Sequence, residues 1–156
     1  MRADLLAFLR SHPYAVQSSV SPQRTPQAAI VGVAVSDTFD IVFDTLRSSR
    51  KARNLSVTAD IALTFGSVAA DASRTVQVEG MADIIDPAGH EALVAMYLAA
   101  FPDGRERQRQ PDLIYVRVRP RWLRDSDYGV TPPRIDEWNA DRIVTDVETD
   151  EKRSRL

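Results

Sequence analysis

The segment that most constrains the fold runs from Arg74 to Ile85, where apolar residues alternate with polar ones over an unusually long span. Val76 and Val78 carry the alternation, which continues beyond Gly80. Strands in globular proteins usually have about 5–6 residues, and a longer strand interrupted by glycine is typical of a bulged, bent strand. The run therefore predicts a bent strand of a β-barrel.

Shorter apolar runs predict further strands and a few helices. Residues 27–35 are small and β-branched, which is typical of a strand that is buried on both faces or lies close to a ligand. Pro87 opens a helix, because its missing N–H costs little at a first helical position. The other predicted strands cover 14–19, 39–44, 60–65, 113–118 and 120–128, the other helices 4–11 and 49–58, and a loop 66–73. Many antiparallel strands at hairpin spacing with inserted helices predict an α+β domain around a small β-barrel.

The chain length of 156 residues fits one domain with a hydrophobic core. We place this domain at residues 1–128. Prolines and charged residues dominate from Gly129 onward, so residues 129–156 are predicted to be a C-terminal tail that is partly disordered or packed on a partner subunit. Disorder is expected above all for residues 145–156.

Composition argues against several classes of function. The formal charge of -2 provides no basic excess for a dedicated nucleic-acid binder. The absence of cysteine removes disulfides and thiolate chemistry, and the two histidines, His12 and His90, lack the spacing of a zinc site. No apolar run approaches the roughly 20 residues that span a bilayer, and the N-terminus lacks the features of a signal peptide. We therefore expect a cytoplasmic protein without a metal site or a membrane segment.

The segment 43–55 combines a strand, a serine pair and the start of a helix with an unusual distribution of charge. Arg47, Arg50 and Lys51 crowd the beginning of the helix, where free N–H groups and partial positive charge favour anions. A bound phosphate removes this conflict, because it accepts hydrogen bonds from the amides, the serine hydroxyls and the basic side chains. The segment predicts a phosphate site, with a solvated basic helix face as the alternative.

Several motifs occur in an order and spacing that resemble a known family. They are Thr25-Pro26-Gln27-Ala28, Ile41-Val42-Phe43-Asp44-Thr45, Ser49-Arg50-Lys51-Ala52-Arg53-Asn54-Leu55, Arg74-Thr75-Val76-Gln77-Val78-Glu79-Gly80 and Tyr115-Val116-Arg117-Val118-Arg119-Pro120 followed by Trp122. The set resembles the pyridoxamine 5'-phosphate oxidase-like, FMN-binding split-barrel superfamily. The resemblance implies an antiparallel split β-barrel with inserted helices. It also implies a homodimer with two flavins in clefts at the dimer interface.

The resemblance further implies a set of cofactor-binding residues. Four of them would hold the FMN phosphate, the backbone of residues 30–33 would lie along the isoalloxazine ring, and Gly32 would leave room for that ring. Polar residues of the long strand would face the cofactor, with the choice between Thr75 and Gln77 set by the strand register. A tryptophan from the second subunit would flank the ring. The phosphate residues are Thr45, Ser49, Arg50 and Lys51, and the remaining ones are Ile30, Val31, Gly32, Val33, Arg74, Thr75, Gln77 and Trp122.

Plainer interpretations exist for some of these residues. Arg74 and Gln77 could lie on the wet face of their strand, and Trp122 could serve core or dimer packing. The run 105–109 is typical of a solvated loop, with a lid over an anionic substrate as the alternative.

Two departures from the family pattern bear on the reaction. True pyridoxamine-phosphate oxidases carry an arginine and a lysine on the second strand, whereas residues 29–34 are apolar here. Their arginine-rich substrate segment has no counterpart in residues 129–156. We expect an FMN-binding oxidoreductase that acts on a small molecule other than the vitamin B6 substrate, with no catalytic side chain assigned. The alternatives are a reductase of the same fold that uses the deazaflavin F420, and a non-enzymatic flavin- or haem-binding protein.

Overall fold

A computed structural model describes residues 2–66, 73–139 and 142 of the chain. The N-terminal half contains α1 (Arg2–Ser11), β1 (Tyr14–Val20), β2 (Pro26–Gly32), β3 (Ala34–Val35), β4 (Ile41–Leu46), α2 (Arg50–Val57) and β5 (Asp60–Gly66). The C-terminal half contains β6 (Arg74–Ile85), a 3-10 turn (Pro87–Gly89), α3 (Glu91–Ala100), α4 (Gly104–Arg107), β7 (Leu113–Asp127) and β8 (Arg134–Asn139). Among the described helices, none is long and apolar enough to cross a membrane.

One antiparallel sheet contains all the described strands. Its order is β2-β1-β5-β6-β7-β4-β3, and β8 pairs with the second half of β7. The two long strands β6 and β7 pair from Arg74 opposite Asp127 to Ile85 opposite Tyr115, so they form the spine of the sheet. The first half of β7 pairs with β4. This curled antiparallel sheet with inserted helices confirms the predicted α+β class.

A β-bulge bends the spine at Gly80. Glu79 pairs with Trp122 and Gly80 with Pro120, so Arg121 is an extra residue on β7. A Cβ atom on Gly80 would lie 2.5 Å from the carbonyl oxygen of Arg119, a distance that only glycine avoids. The predicted bent strand is confirmed, with the extra residue on the neighbouring strand.

The hydrophobic core has two parts, one on each side of the sheet. The larger part fills the inside of the curl and is covered by α1 and α2, with Phe43, Phe65 and Val116 fully buried. The smaller part lies under α3, where Val42 and Tyr97 pack together. Alternate residues of β4 face the two parts, because successive side chains of a strand point to opposite faces. The end of β4 therefore carries polar side chains toward both sides of the sheet.

The structure differs from the predicted elements in several places. Pro87 opens a 3-10 turn that ends at Gly89, and the predicted helix itself, α3, begins at Glu91. Residues 113–127 form one strand rather than two, because Pro120 sits at the bulge, where a missing N–H is tolerated. The predicted strand 27–35 is divided at Val33, whose N–H bonds the carbonyl of Pro13 at 2.8 Å. The loop at 105–110 begins within α4, and β8 lies in the segment after Gly129. The interpretation of residues 145–156, like most of the loop 66–73, lies outside the described residues.

Candidate functional site at the start of α2

The turn between β4 and α2 is held by hydrogen bonds from both sides. The backbone N–H of Ser49 bonds the carbonyl of Leu46 at 2.9 Å, and that of Arg47 bonds the carbonyl of Asp112 at 2.8 Å. The Asp112 carboxylate also accepts from Ser48, at 3.1 Å from its amide and 2.5 Å from its hydroxyl. These two hydrogen bonds lower the pKa of Asp112. The turn is therefore anchored to the start of β7 before α2 begins.

Ser49 is the N-cap of α2. Its Oγ accepts a hydrogen bond from the N–H of Ala52 at 3.2 Å, and its backbone is extended, as N-cap residues usually are. The cap satisfies one of the free amides at this helix end and leaves the positive end of the helix dipole beside the turn. The sequence predicted this helix start, and the structure confirms it.

Three of the four predicted phosphate-binding side chains converge at this turn. Thr45 Oγ1 lies 3.1 Å from Ser49 Oγ, and Lys51 Nζ donates to Thr45 Oγ1 at 3.4 Å. Thr45 is 9% exposed, so its hydroxyl sits at the bottom of the cluster. Within the described residues, no carboxylate lies within ion-pair distance of Lys51. The cluster thus presents two hydroxyls and an ammonium group that none of the described carboxylates pairs with.

The Arg50 side chain points toward β2 and not into the cluster formed by the other three residues. Its Nε is 2.9 Å from the side-chain amide of Gln27 on β2, with the Gln27 oxygen turned toward the guanidinium. In the other orientation of that amide, the oxygen accepts from Asn54 Nδ2 at 2.9 Å. Asn54 also donates to Ser19 Oγ at 3.1 Å. Arg50 therefore belongs to a polar link between α2 and the first two strands, and the sequence analysis did not predict a role for Gln27 or Asn54.

A groove of about 430 Å³ opens beside the cluster. The start of α2 and the end of β4 form one wall, and the segment that follows α3 forms the other. The lining residues are Asp44, Thr45, Leu46, Ser48, Ser49, Lys51, Arg107, Gln110 and Leu113. Arg107 Nε bonds the Asp44 carboxylate at 2.9 Å, and the same guanidinium bonds Asp103. The sequence did not single out Arg107 as a site residue. It lies in the run 105–109, which was interpreted as a solvated loop with a lid over an anionic substrate as the alternative.

Tyr97 lies beneath this ion pair. Its hydroxyl is 3.4 Å from Arg107 Nη2, and its ring is buried against Tyr115 and Phe101. Burial raises the pKa of Tyr97, and the negative charge of Asp44 raises it further. The phenol is therefore neutral at physiological pH, and the charged groups beside it are Asp44, Arg107 and Asp103.

The packing of the Phe101 ring explains why β2 has a glycine at position 32. A Cβ atom on Gly32 would lie 2.8 Å from the ring of Phe101, at the end of α3. The family resemblance predicted that Gly32 leaves room for a flavin ring, whereas within this chain the ring of Phe101 occupies the space beside it. Of the other predicted ring contacts, Val31 and Val33 are buried in the core, whereas the Ile30 side chain is 73% exposed.

The predicted residues of β6 point to opposite faces of the sheet. Thr75 and Gln77 share the outer face, whereas Arg74 lies on the face of the buried Val76 and Val78. Strand alternation imposes this, because positions 74 and 77 differ by an odd number. Arg74 bonds Asp125 through Nε at 2.9 Å and through Nη2 at 2.8 Å. Arg74 and Gln77 therefore lie on opposite faces of the sheet within one chain, and their contact with a cofactor stays a prediction.

Trp122 lies far from the α2 cluster within one chain. Ile114 pairs with Thr45, and Trp122 lies eight positions further along β7. At about 3.3 Å per residue, this separation approaches ~26 Å along the strand. Trp122 pairs with Glu79 and is half-buried on the outer face of the sheet. One chain therefore does not bring Trp122 to the turn before α2.

These features define a split-barrel protein of the α+β class, with its polar cluster at the strand-to-helix turn. A model of the family described as pyridoxamine 5'-phosphate oxidase matches residues 1–127. The chain belongs to this family, as the order of its motifs suggested. No curated protein matches the sequence significantly.

Solved structures share this fold at low sequence identity. The haem binding protein of Mycobacterium smegmatis is 17% identical, with a TM-score of 0.79 over 92% of this chain and 60% of that one. HutZ, the haem storage protein of Vibrio cholerae, is 13% identical, with a TM-score of 0.67 over 76% and 88%. General Stress Protein 26 of Bacillus anthracis is 15% identical, with a TM-score of 0.66 over 88% and 98%. The chain thus spans less than two thirds of the Mycobacterium smegmatis protein.

Proposed function

We propose that the chain binds FMN through its phosphate at the start of α2 and acts as a flavin-dependent oxidoreductase. The observation that carries this proposal is the convergence of Thr45, Ser49 and Lys51 on one groove. The family membership supports the flavin as the group that brings a phosphate there. The substrate is proposed to be a small molecule.

The chemistry of the cluster suits a phosphate monoester. A phosphate oxygen can accept from the Lys51 ammonium and from either hydroxyl, and the end of the helix dipole adds to the attraction. Hydrogen bonds between charged groups contribute about 1.5–3 kcal/mol each when well formed. Bound FMN supplies hydride or electron transfer, while the chain binds the phosphate, orients the ring and shapes the pocket. A flavin-dependent reaction of this kind requires no nucleophilic side chain.

The reaction of true pyridoxamine-phosphate oxidases is not part of the proposal. The positions of β2 that face the inside of the sheet are Gln27, Ala29 and Val31, none of them cationic. A second cationic contact to the phosphate would have to come from Arg50, whose guanidinium reaches Gln27. We therefore propose a flavin site in this chain and do not propose the vitamin B6 substrate.

We further propose that the active form is a homodimer with the cofactor at its interface. Tyr14, Val16 and Val20 of β1 and Ile30 of β2 expose their side chains, and Val16 is paired with Ile30. Exposed apolar patches of this kind are typical of interaction sites. The same outer face carries Gln77 and Trp122, so a second copy docked there could bring its own residues to the cofactor of the first.

The proposal is tested by removing the cation of the cluster. Lys51→Gln is expected to copurify with much less FMN than the wild type, with affinity reduced by ~10-fold or more because a charge-assisted contact is lost. Arg50→Ala should weaken binding less, since Arg50 lies toward Gln27 rather than in the groove. The measurements are the visible spectrum of freshly purified protein and the mass of the cofactor released by heat.

Arg24→Gln is the matched control, because Arg24 is an exposed cation in the turn before β2. It should retain the FMN content of the wild type. Equal FMN content in Lys51→Gln and wild type would contradict the phosphate assignment, and a protein that takes up no FMN would contradict the proposed function.

The deazaflavin F420 remains the alternative cofactor within the same site. Its longer acidic tail could extend past the groove toward Arg47 and Arg53, which are both exposed. Titration of the apoprotein with each cofactor separates the two, because loss of Arg53 would weaken F420 binding more than FMN binding.

A haem-binding protein without enzymatic activity is the second candidate, and two of the structural neighbours described above favour it. The two histidines could each offer a nitrogen to iron. His12 Nδ1 lies 2.9 Å from the carbonyl of Phe8, and His90 Nδ1 lies 3.0 Å from that of Asp86. This contact assigns the proton to Nδ1 and leaves Nε2 as the ligand atom. Haemin titration should then give a Soret band that His12→Ala or His90→Ala shifts.

A further inference from the structure

We propose that the Asp44–Arg107 ion pair determines the anion selectivity of the groove, with Arg107 acting by neutralising Asp44 rather than by contacting the ligand. The inference rests on the proposed phosphate site at the start of α2. It assigns a role to a residue that neither the family motifs nor the helix start contains.

Asp44 precedes Thr45 on β4, and both residues line the groove with Lys51. The Asp44 side chain is 14% exposed. A carboxylate that lines the same groove would repel a bound phosphate, and water would screen this repulsion poorly at a partly buried site. Without a partner, Asp44 would oppose the attraction that Lys51 provides.

Arg107 removes this conflict. Its Nε donates to Asp44 Oδ2 at 2.9 Å, and Nη1 reaches Asp103 on the solvent side. Its remaining amino group is 3.4 Å from the Tyr97 hydroxyl. Every nitrogen of the guanidinium therefore has a partner within the protein. Each terminal nitrogen keeps a second N–H, but the charge of the guanidinium is engaged by Asp44, so we assign its effect on the groove to electrostatics.

With the pair formed, Lys51 is the one charged group lining the groove that the described residues leave uncompensated. The neutral polar groups around it are the hydroxyls of Thr45, Ser48 and Ser49 and the amide of Gln110. A groove with this lining favours a compact anion over a cation or a neutral ligand. Arg107 is therefore a positioning and specificity-determining residue of the site.

The test is a double-mutant cycle on the full chain, with FMN and inorganic phosphate as probes in calorimetric titrations. Arg107→Gln should weaken FMN binding by about tenfold, because it leaves Asp44 unpaired beside the anion. Asp44→Asn alone should leave affinity equal or slightly higher. The double variant Asp44→Asn/Arg107→Gln should recover affinity to within about threefold of Asp44→Asn, since the repulsive charge has gone. The defect of Arg107→Gln should also shrink at high salt.

Arg105→Gln is the matched control, because Arg105 is an exposed arginine of the same short helix and has no contact with Asp44. It should bind like the wild type. A double variant as weak as Arg107→Gln would overturn the proposal and assign Arg107 a direct or purely structural role. Equal effects of Arg105→Gln and Arg107→Gln would overturn it as well.

The two probes separate this inference from the proposed function. If the affinities for inorganic phosphate change among the variants as expected while FMN does not bind, the charge-neutralising role of Arg107 stands and the FMN function is wrong. If Lys51→Gln abolishes FMN binding while the cycle shows no coupling between positions 44 and 107, the function stands and the inference is wrong. Failure of both probes to bind the wild type would overturn both.

Discussion

Arg74 illustrates at the scale of a single residue how one side chain can join distant parts of the chain. It bonds Asp125 through two nitrogens and Asp4 of α1 at 2.8 Å, and its guanidinium lies 4.6 Å from the centre of the Phe8 ring. Asp125 is only 4% exposed. A buried carboxylate needs such a partner, because burial of an unpaired charge is costly. The residue predicted to contact the cofactor thus fastens α1 to the spine of the sheet.

The contact predicts a measurable loss of stability. Arg74→Met should lower the free energy of unfolding by about 2–4 kcal/mol, because among the described residues Asp125 then pairs only with Arg134, at 3.7 Å. Chemical denaturation at neutral pH measures the change. Asp4→Asn is the control, since it removes only the exposed end of the network and should cost at most about 1 kcal/mol. Equal losses in the two variants would refute the buried pair as the source.

The ion pair between Arg74 and Asp4 gives a pH dependence with a defined sign. The hydrogen bond and the positive charge of Arg74 lower the pKa of Asp4 below its usual 3.8. A carboxyl group with a depressed folded-state pKa stabilises the protein above its unfolded pKa, and this contribution is lost as the pH falls through the folded value. Arg74→Met removes the depression, so the variant should lose less stability than the wild type between pH 5 and strongly acidic conditions.

At the scale of secondary-structure elements, β6 and β7 determine the shape of the molecule. Their bulge lets β7 run on through Pro120 and turn its second half toward β8. The prolines and charged residues after Gly129 concealed β8 in the sequence analysis. A six-residue strand with exposed alternate positions relies on pairing with its neighbour rather than on a hydrophobic pattern of its own.

Gly80 provides the test of this element. Gly80→Ala should destabilise the protein by about 1–3 kcal/mol, because the added methyl group meets the Arg119 carbonyl oxygen and the backbone of the spine must shift. Gly89→Ala is the control, since a Cβ atom there meets nothing within 4 Å. Thermal unfolding of both variants measures the difference, and a Gly80→Ala protein as stable as Gly89→Ala would argue against the close approach.

At the scale of the whole molecule, one chain supplies only part of the proposed cofactor site. The phosphate cluster lies at the end of β4, whereas Gln77 and Trp122 lie on the outer face of the sheet beside the exposed residues of β1 and β2. Docking a second copy on that face would bury the apolar side chains and complete the site. The proposed dimer and the proposed function are therefore linked.

This link predicts that the dimer and the cofactor are lost together. Ile30→Lys should yield a monomer that retains little FMN, because a charge replaces the most exposed apolar side chain of the face. Val57→Lys, the same kind of change at an exposed position of α2, should leave the dimer intact. Light scattering coupled to size exclusion measures the mass. An Ile30→Lys protein that remains dimeric would place the interface elsewhere.

Features that depend on neighbours along the chain could be predicted from the order of the amino acids alone. The alternation of 74–85 predicted the bent strand, and the segment with the serine pair predicted the start of α2, because strand period and helix initiation are local effects. The sequence also carried the family motifs. Only the tertiary structure decided which face each polar residue occupies, that Phe101 fills the space at Gly32, and that Arg107 meets Asp44 across 63 positions. Such contacts follow from how the elements pack against one another, and no local pattern specifies that packing.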